Sequence, residues 1–195
     1  MAKKRNNTKE NIWNVPNTLT FIRVLLTLLT IYFIFSGFSI ITIIVTFSIA
    51  AITDFLDGQI ARRFRLATKF GRKFDILADR FLMLGVVGAI MIDFAINKML
   101  TSWYSIQILL IMSREIISFP FAVLSYSSTK PMVPHARFVG KLMTLLQGFA
   151  FPLILLNMAY PAHQFSIYLA IPTFIVGIVS GLTYVKDLQK AGVKG

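Results

Sequence analysis

Long apolar stretches separated by short polar ones dominate this chain. A helix that crosses the hydrocarbon core of a bilayer takes roughly 20 mostly apolar residues. Six stretches meet that length: Asn17–Phe35, Ser39–Arg62, Gly71–Ile96, Trp103–Tyr126, Phe138–Met158 and Phe165–Lys186. The junctions carry turn residues, with Ser36-Gly37 after the first, Asn97-Lys98 after the third, Pro131 and Pro134 before the fifth and Pro161 before the sixth. The pattern predicts an all-α integral membrane protein with six transmembrane helices in a single domain over residues 1–195. Ahead of the first span, residues up to Asn14 read as a short interfacial helix that ends at Pro16. Trp13 suits the headgroup layer there, and residues 1–8 read as a disordered basic tail. Pro120, Pro152 and Pro172 fall within spans and are expected to kink them.

Composition agrees with this reading. The 195 residues are 56% hydrophobic and 14% charged, against about 25% charged in a soluble domain. The surplus apolar surface needs lipid beside it. The absence of cysteine excludes disulfides and thiolate metal sites. The basic start, Met1 to Arg5, has no apolar core behind it and does not read as a cleaved signal peptide.

The net charge of +12 is sorted by linker rather than spread as a nucleic-acid footprint. Lys3, Lys4, Arg5 and Lys9 precede the first span. Arg62, Arg63, Arg65, Lys69, Arg72 and Lys73 surround the second linker. Lys130, Arg137 and Lys141 surround the fourth, and Lys186, Lys190 and Lys194 follow the sixth span, whereas the alternate linkers hold only Lys98. Cytosolic loops beside anionic lipid collect such charge. The expectation is a multi-pass protein of the cell membrane with both termini cytosolic and no nucleic-acid partner.

Acid is scarce and concentrated. Four of the eight acidic residues, Asp54, Asp57, Asp75 and Asp79, lie at the cytosolic ends of the second and third spans. Spacings of i+3 and i+4 put each pair on one helix face. Gly58, Ala61 and Gly71 stand beside them, and small residues let a substrate or a partner helix approach the backbone. Carboxylates in a span cost several kcal/mol each. A salt-bridge net with the nearby Arg and Lys residues is one way to offset that. Helical register and interleaved glycines favour another, two divalent cations about 4 Å apart, the spacing that clamps attacking and leaving oxygens in phosphoryl displacement. Oxygen ligands without His or Cys suit Mg²⁺, Mn²⁺ or Ca²⁺ rather than Zn²⁺.

Asp54-Phe-Leu-Asp57-Gly58-Gln-Ile-Ala61-Arg62 followed by Gly71-Arg-Lys-Phe-Asp75-Ile-Leu-Ala-Asp79 matches the pattern D-x-x-D-G-x-x-A-R…G-x-x-x-D-x-x-x-D. This resembles the CDP-alcohol phosphotransferases. Asn17-Thr-Leu-Thr20-Phe-Ile-Arg23, Ser113-Arg114-Glu115 and Gly140-Lys141-Leu-Met-Thr144 look closest to the phosphatidylglycerophosphate synthases and the CDP-alcohol-type cardiolipin synthases. The resemblance implies six spans around a polar cavity open to the cytosol, commonly in a homodimer. It implies an enzyme in which Asp54, Asp57, Asp75 and Asp79 bind two Mg²⁺ or Mn²⁺ ions and Asp79 takes the proton of the acceptor hydroxyl. It implies contacts to CDP-diacylglycerol from Asn17, Thr20, Gly58, Ala61, Arg62 and Thr68.

The acceptor is a separate question. Arg114, Arg137 and Lys141 form a trio of cations that suits a phosphorylated alcohol such as glycerol 3-phosphate. Alternatively, Arg114 pairs with Glu115 or an aspartate while the other two set topology. Phe121 and Met143 stand where the similar synthases often carry cations, and Asp79-Arg80 stands where they often read Asp-Lys. That leaves phosphatidylglycerol, which would make cardiolipin, or another alcohol such as inositol phosphate as alternatives, and it leaves the donor lipid open between an ester and an archaeal ether. From another class, a divalent-cation transporter would also hold intramembrane acids, but spread along a path rather than bunched at one rim. Glycerol 3-phosphate, giving phosphatidylglycerophosphate and CMP, is the favoured reading.

Overall fold

The computed structural model describes residues 14–63, 68–97, 101–118, 120, 138–161 and 164–192, without the side chains of 54–63, 69, 70, 72, 73, 138, 141 and 187–192. All regular structure among these residues is helical. The helices are α1 (Val15–Phe35), α2 (Ile40–Arg63), α3 (Lys69–Ile96), α4 (Ser102–Ile111), α5 (Phe138–Ala159) and α6 (Ser166–Gly192). After a one-residue irregularity at Met112, residues 113–118 are helical again.

Local chemistry explains the ends. The Asn14 side chain caps α1 by accepting from Asn17 N at 3.0 Å, and Pro16 sits in the first turn, where no intrahelical N–H is required. Pro16 therefore opens α1 rather than closing an earlier helix, and α1 begins at Val15 rather than Asn17. The interfacial helix expected before it falls on residues 1–13, outside the described part. At the other end Gly37 adopts φ +70°. Gly37 N donates to Ile34 O at 3.1 Å and Phe38 N to Phe33 O at 3.0 Å, while the Phe33 and Phe38 rings meet at 4.5 Å. This left-handed glycine cap with its hydrophobic contact turns the chain into α2. Pro152 and Pro172 lie inside α5 and α6, which continue through them.

Side-chain contacts fix the helix directions. Asn17 lies against Gly71, Arg23 against Asp75 and Ile31 against Gly85, so α1 and α3 run parallel. Tyr104 reaches Asn157, Ile111 reaches Gln147 and Arg114 reaches Thr144, so the fourth helical segment runs antiparallel to α5. Ser113 packs on Gly177 and Ile117 on Gly181, so the same segment runs parallel to α6. A side chain on either glycine would meet the neighbouring helix, the close small-xxx-small approach found between membrane helices.

The polarity of α1 is inverted relative to a soluble helix. Asn17, Thr20, Arg23, Thr27 and Thr30 are buried, while Phe21, Leu25, Leu28 and Tyr32 face outward. Thr20, Thr27 and Thr30 return their hydroxyls to their own helix carbonyls four residues back. Only a lipid surround makes an apolar exterior around a polar interior favourable. Val15–Phe35, Leu142–Ala159 and Ser166–Lys186 are each long and apolar enough to cross a bilayer, and Ile40–Thr53 and Ser102–Ile111 are shorter apolar helices. The chain is a multi-pass membrane protein.

A buried polar cluster ties α4, α5 and α6 at the end opposite the aspartates. Ser166 Oγ donates to Gln107 Oε1 at 2.7 Å and accepts from Asn157 Nδ2 at 3.1 Å, while Tyr104 Oη donates to Asn157 O at 2.9 Å. Ser166→Ala removes a partner from two buried amides at once, each stranding costing about 1–3 kcal/mol. It is expected to lower Tm in detergent by several degrees. Thr183→Ala, which loses only an exposed bond to Val179 O, should leave Tm within a degree or so. Equal Tm values for the two would show that the cluster does not hold these helices.

Candidate active site

The site begins at the capped start of α3. Thr68 Oγ1 accepts from Gly71 N at 2.9 Å, which ends the loop and starts the helix. The Asn17 side chain of α1 fills the space over Gly71. A methyl group at Gly71 would collide with Asn17 Oδ1 and lie 2.9 Å from Thr68 Oγ1. The small residue therefore serves the approach of a partner helix, and it gathers Asn17 and Thr68 in one place. One turn further on, Arg23 Nη1 donates to Asp75 Oδ1 at 3.0 Å. The Arg23 side chain is wholly buried and that of Asp75 is 43% exposed, so a fixed interior cation orients a half-open carboxylate.

Asp79 lies one turn beyond Asp75 on the same face. It is close enough to Glu115 for the two carboxylates to repel each other. Next to it, Arg80 Nη1 donates to Ser118 Oγ at 3.2 Å, and its guanidinium lies 5.7 Å from the centre of the Tyr184 ring. Residues 113–118 thus form a second wall facing α3. On that wall Arg114 Nη1 donates to Thr144 Oγ1 at 3.3 Å and lies 3.9 Å from Glu115 Oε1. Gln147 Nε2 donates to Ile111 O at 3.0 Å and to Glu115 Oε2 at 2.5 Å. The Glu115 carboxylate is thereby held from the α5 side.

The sequence-derived site residues divide accordingly. Asn17, Thr20, Thr68, Asp75 and Asp79 share the α1–α3 wall, and Arg114 stands on the opposite one. Thr20 Oγ1 donates to Pro16 O at 3.1 Å. Asp54, Asp57, Gly58, Ala61 and Arg62 lie on the helical backbone of α2, and Lys141 lies in the first turn of α5, but their side chains are outside the described part. Arg137 lies wholly outside it. Among the described residues no three acidic or histidine side chains gather, and the side chains of Asp54 and Asp57 are not among them. α2 and α3, which carry the four aspartates, both lie beside α1. Among the described residues few close contacts join the two directly.

Arg23 and Gln147 are among the participants that carried no assigned role in the sequence. Arg23 is the single charged residue in Val15–Phe35, and an intramembrane cation signals function by default. Gln147 gave no such signal, since a lone amide in an apolar stretch has no partner until α5 meets the fourth segment.

A multi-pass helical protein with carboxylates and cations gathered inside one end of its bundle is a membrane enzyme in outline. The sequence model of the CDP-alcohol phosphatidyltransferase family matches residues 13–179, and the chain belongs to that family. It is thus a CDP-alcohol phosphotransferase, a transferase of phospholipid biosynthesis. It is 32% identical over 180 residues to a Rickettsia typhi protein named CDP-diacylglycerol–glycerol-3-phosphate 3-phosphatidyltransferase, covering 89% of this chain and 96% of that one. It is 28% identical over 182 residues to a Mycobacterium tuberculosis (strain CDC 1551) protein named "Probable phosphatidylglycerophosphate synthase", covering 91% and 82%. A Drosophila melanogaster protein named "Probable cardiolipin synthase (CMP-forming)" is 40% identical over 97 residues, 49% of this chain and 28% of that one.

Proposed function

We propose that the protein transfers a phosphatidyl group from CDP-diacylglycerol to glycerol 3-phosphate, releasing CMP and forming phosphatidylglycerophosphate. The observation that carries the acceptor is the placement of Arg114. It lies 3.9 Å from Glu115 Oε1, on the segment that Arg80, the neighbour of Asp79, reaches through Ser118. A cation for the acceptor's phosphate thus lies on the segment facing the helix of the residue that takes the acceptor's proton. Met143, where a further cation was absent from the sequence pattern, is wholly buried and packed toward Gly177. That position builds a helix contact, so its lack of charge does not count against a phosphorylated acceptor. The full-length likeness to the Rickettsia typhi protein points the same way.

In this reading Asp79 removes the proton of the acceptor hydroxyl. The freed oxygen attacks the phosphorus that carries the lipid, and CMP leaves with the electron pair of the broken P–O bond. Arg114 holds the acceptor's phosphate, with Arg137 and Lys141 as further cations. Asn17, Thr20, Gly58, Ala61, Arg62 and Thr68 contact the CDP-lipid. Asp54, Asp57, Asp75 and Asp79 would hold two Mg²⁺ or Mn²⁺ ions, a match of hard oxygen donors in a chain without cysteine. Bound there, the ions would neutralise charge at the pyrophosphate. Six spans with cytosolic termini place this end at the inner membrane face, and the alternating helix directions support that topology. A homodimer is part of the proposal.

The test is CMP release by purified protein with Mg²⁺ or Mn²⁺, CDP-diacylglycerol and a panel of acceptors: glycerol 3-phosphate, phosphatidylglycerol, inositol phosphate and serine. Glycerol 3-phosphate is expected to give the fastest release. Arg114→Gln is expected to raise KM for it at least about tenfold, the loss of one charge-assisted contact worth about 1.4 kcal/mol or more. KM for CDP-diacylglycerol should change little. Faster release with phosphatidylglycerol would make the protein a cardiolipin synthase instead, and no release with any acceptor would reject the reading.

A further inference from the structure

We infer that Arg80 is a positioning residue for the transfer: it clasps the wall carrying Asp79 to the wall carrying Arg114 and so sets the gap in which the acceptor lies. The inference rests on the reaction proposed above and adds a determinant of acceptor fit to it.

Arg80 reaches two other elements at once. Its Nη1 donates to Ser118 Oγ at 3.2 Å, and its guanidinium lies over the Tyr184 ring of α6 at 5.7 Å. Ser118 is buried, so this hydrogen bond is shielded from competing water. Arginine suits such a post, because its planar fork can donate at the edge while its face stacks on an aromatic ring. Further along α3, Leu82, Val86 and Ile90 belong to one apolar core with Ile108 and Ile111 of α4 and Ile154 of α5. Among the described residues the close backbone neighbour of α3 is α1. Phe47 of α2 meets Phe151 of α5 in the same core, at 4.8 Å between ring centres. Beside Asp79, Arg80 supplies a polar join from α3 to residues 113–118 and α6.

Position makes this clasp specific to the acceptor. Asp79 and Arg80 are neighbours on α3, and they address Glu115 and Ser118 on the facing segment. Arg114 lies one turn from Ser118 on that segment. Any slip of α3 against residues 113–118 therefore changes the Asp79–Arg114 separation directly. The gathering of Asn17, Thr68 and Gly71 lies on the α1–α3 wall, with its contacts made between those two helices. Loss of the clasp should disturb acceptor use and spare donor binding, a split that general destabilisation would not produce.

The experiment uses full-length protein in detergent with CDP-diacylglycerol and glycerol 3-phosphate. Arg80→Met is expected to raise KM for glycerol 3-phosphate and lower kcat by about 10- to 100-fold, the scale of an ångström-sized misplacement, with KM for CDP-diacylglycerol within about twofold. Arg80→Lys, which can still donate to Ser118 and lie over Tyr184, should recover most of the activity. Tyr184→Leu should give a milder form of the same split and add little to Arg80→Met, as expected when two changes remove one interaction. A second readout is independent of turnover. The chain has no cysteine, so spin labels placed through Leu77→Cys and Ile116→Cys, both exposed positions, report the distance between the walls. Arg80→Met is expected to shift or broaden that distance distribution. An active wild type whose Arg80→Met variant keeps both the acceptor KM and the distance distribution would overturn the inference alone. Equal changes in both KM values would overturn it as well. A wild type that releases no CMP with any acceptor would overturn the reaction, and with it the role of Arg80.

Discussion

Asp79→Asn is expected to abolish CMP release while leaving the protein folded. The substitution preserves shape and removes the group proposed to accept the acceptor's proton. A positioned general base contributes about 10²- to 10⁴-fold. Asp79 is also one of the four carboxylates proposed to hold the two cations, so the expected loss is at least about 10³-fold. The fold should survive because Asp79 is partly exposed and the ion pair on its face belongs to Asp75 and Arg23. Measuring CMP release beside Tm separates the two effects. An Asp79→Asn protein that kept a tenth of wild-type turnover would remove Asp79 as the base.

Gly71→Ala is expected to lower turnover about 10- to 100-fold, the cost of misplacing a positioning group by about 1 Å. Two effects oppose each other at this position. Alanine favours a helix over glycine by about 1 kcal/mol, which by itself would stabilise α3. Its methyl group, however, would occupy the place of Asn17 Oδ1 and crowd Thr68 Oγ1. Overpacking of this kind costs about 1–3 kcal/mol, enough to cancel the propensity gain, and the side chain of Asn17 is what has to move. Stability should change little while donor contacts are lost, so KM for CDP-diacylglycerol should carry much of the effect. In an Asn17→Ala background the same Gly71→Ala change should cost little more, because the collision partner is already gone. A full further loss in that background would place the damage elsewhere.

The sequence by itself determined the helices and half of the site's chemistry. Apolar run length marked where helices lie, because a bilayer leaves a spanning chain no other way to satisfy its backbone; among the described residues three are long and apolar enough to cross one. Gly37 marked the first turn correctly, since that cap requires a positive φ. The i+4 spacing put Asp75 and Asp79 on one face of α3 because helical geometry is local. Pro16 was misread because two local rules compete there. The residue before a proline disfavours helix, yet the proline itself fits a first helical turn, and the Asn14 cap decided for the latter. The irregularity at Met112 had no local signal, having neither glycine nor proline; it lies where Gln147 bonds the Ile111 carbonyl across helices.

Tertiary structure alone decided which faces meet. It set Arg23 on Asp75 from 52 residues away, Asn17 over Gly71, Gln147 on Glu115 and Arg80 between Ser118 and Tyr184. Periodicity states which side of a helix is polar. It does not state which other helix will lie against that side, because that choice depends on how all the helices pack together.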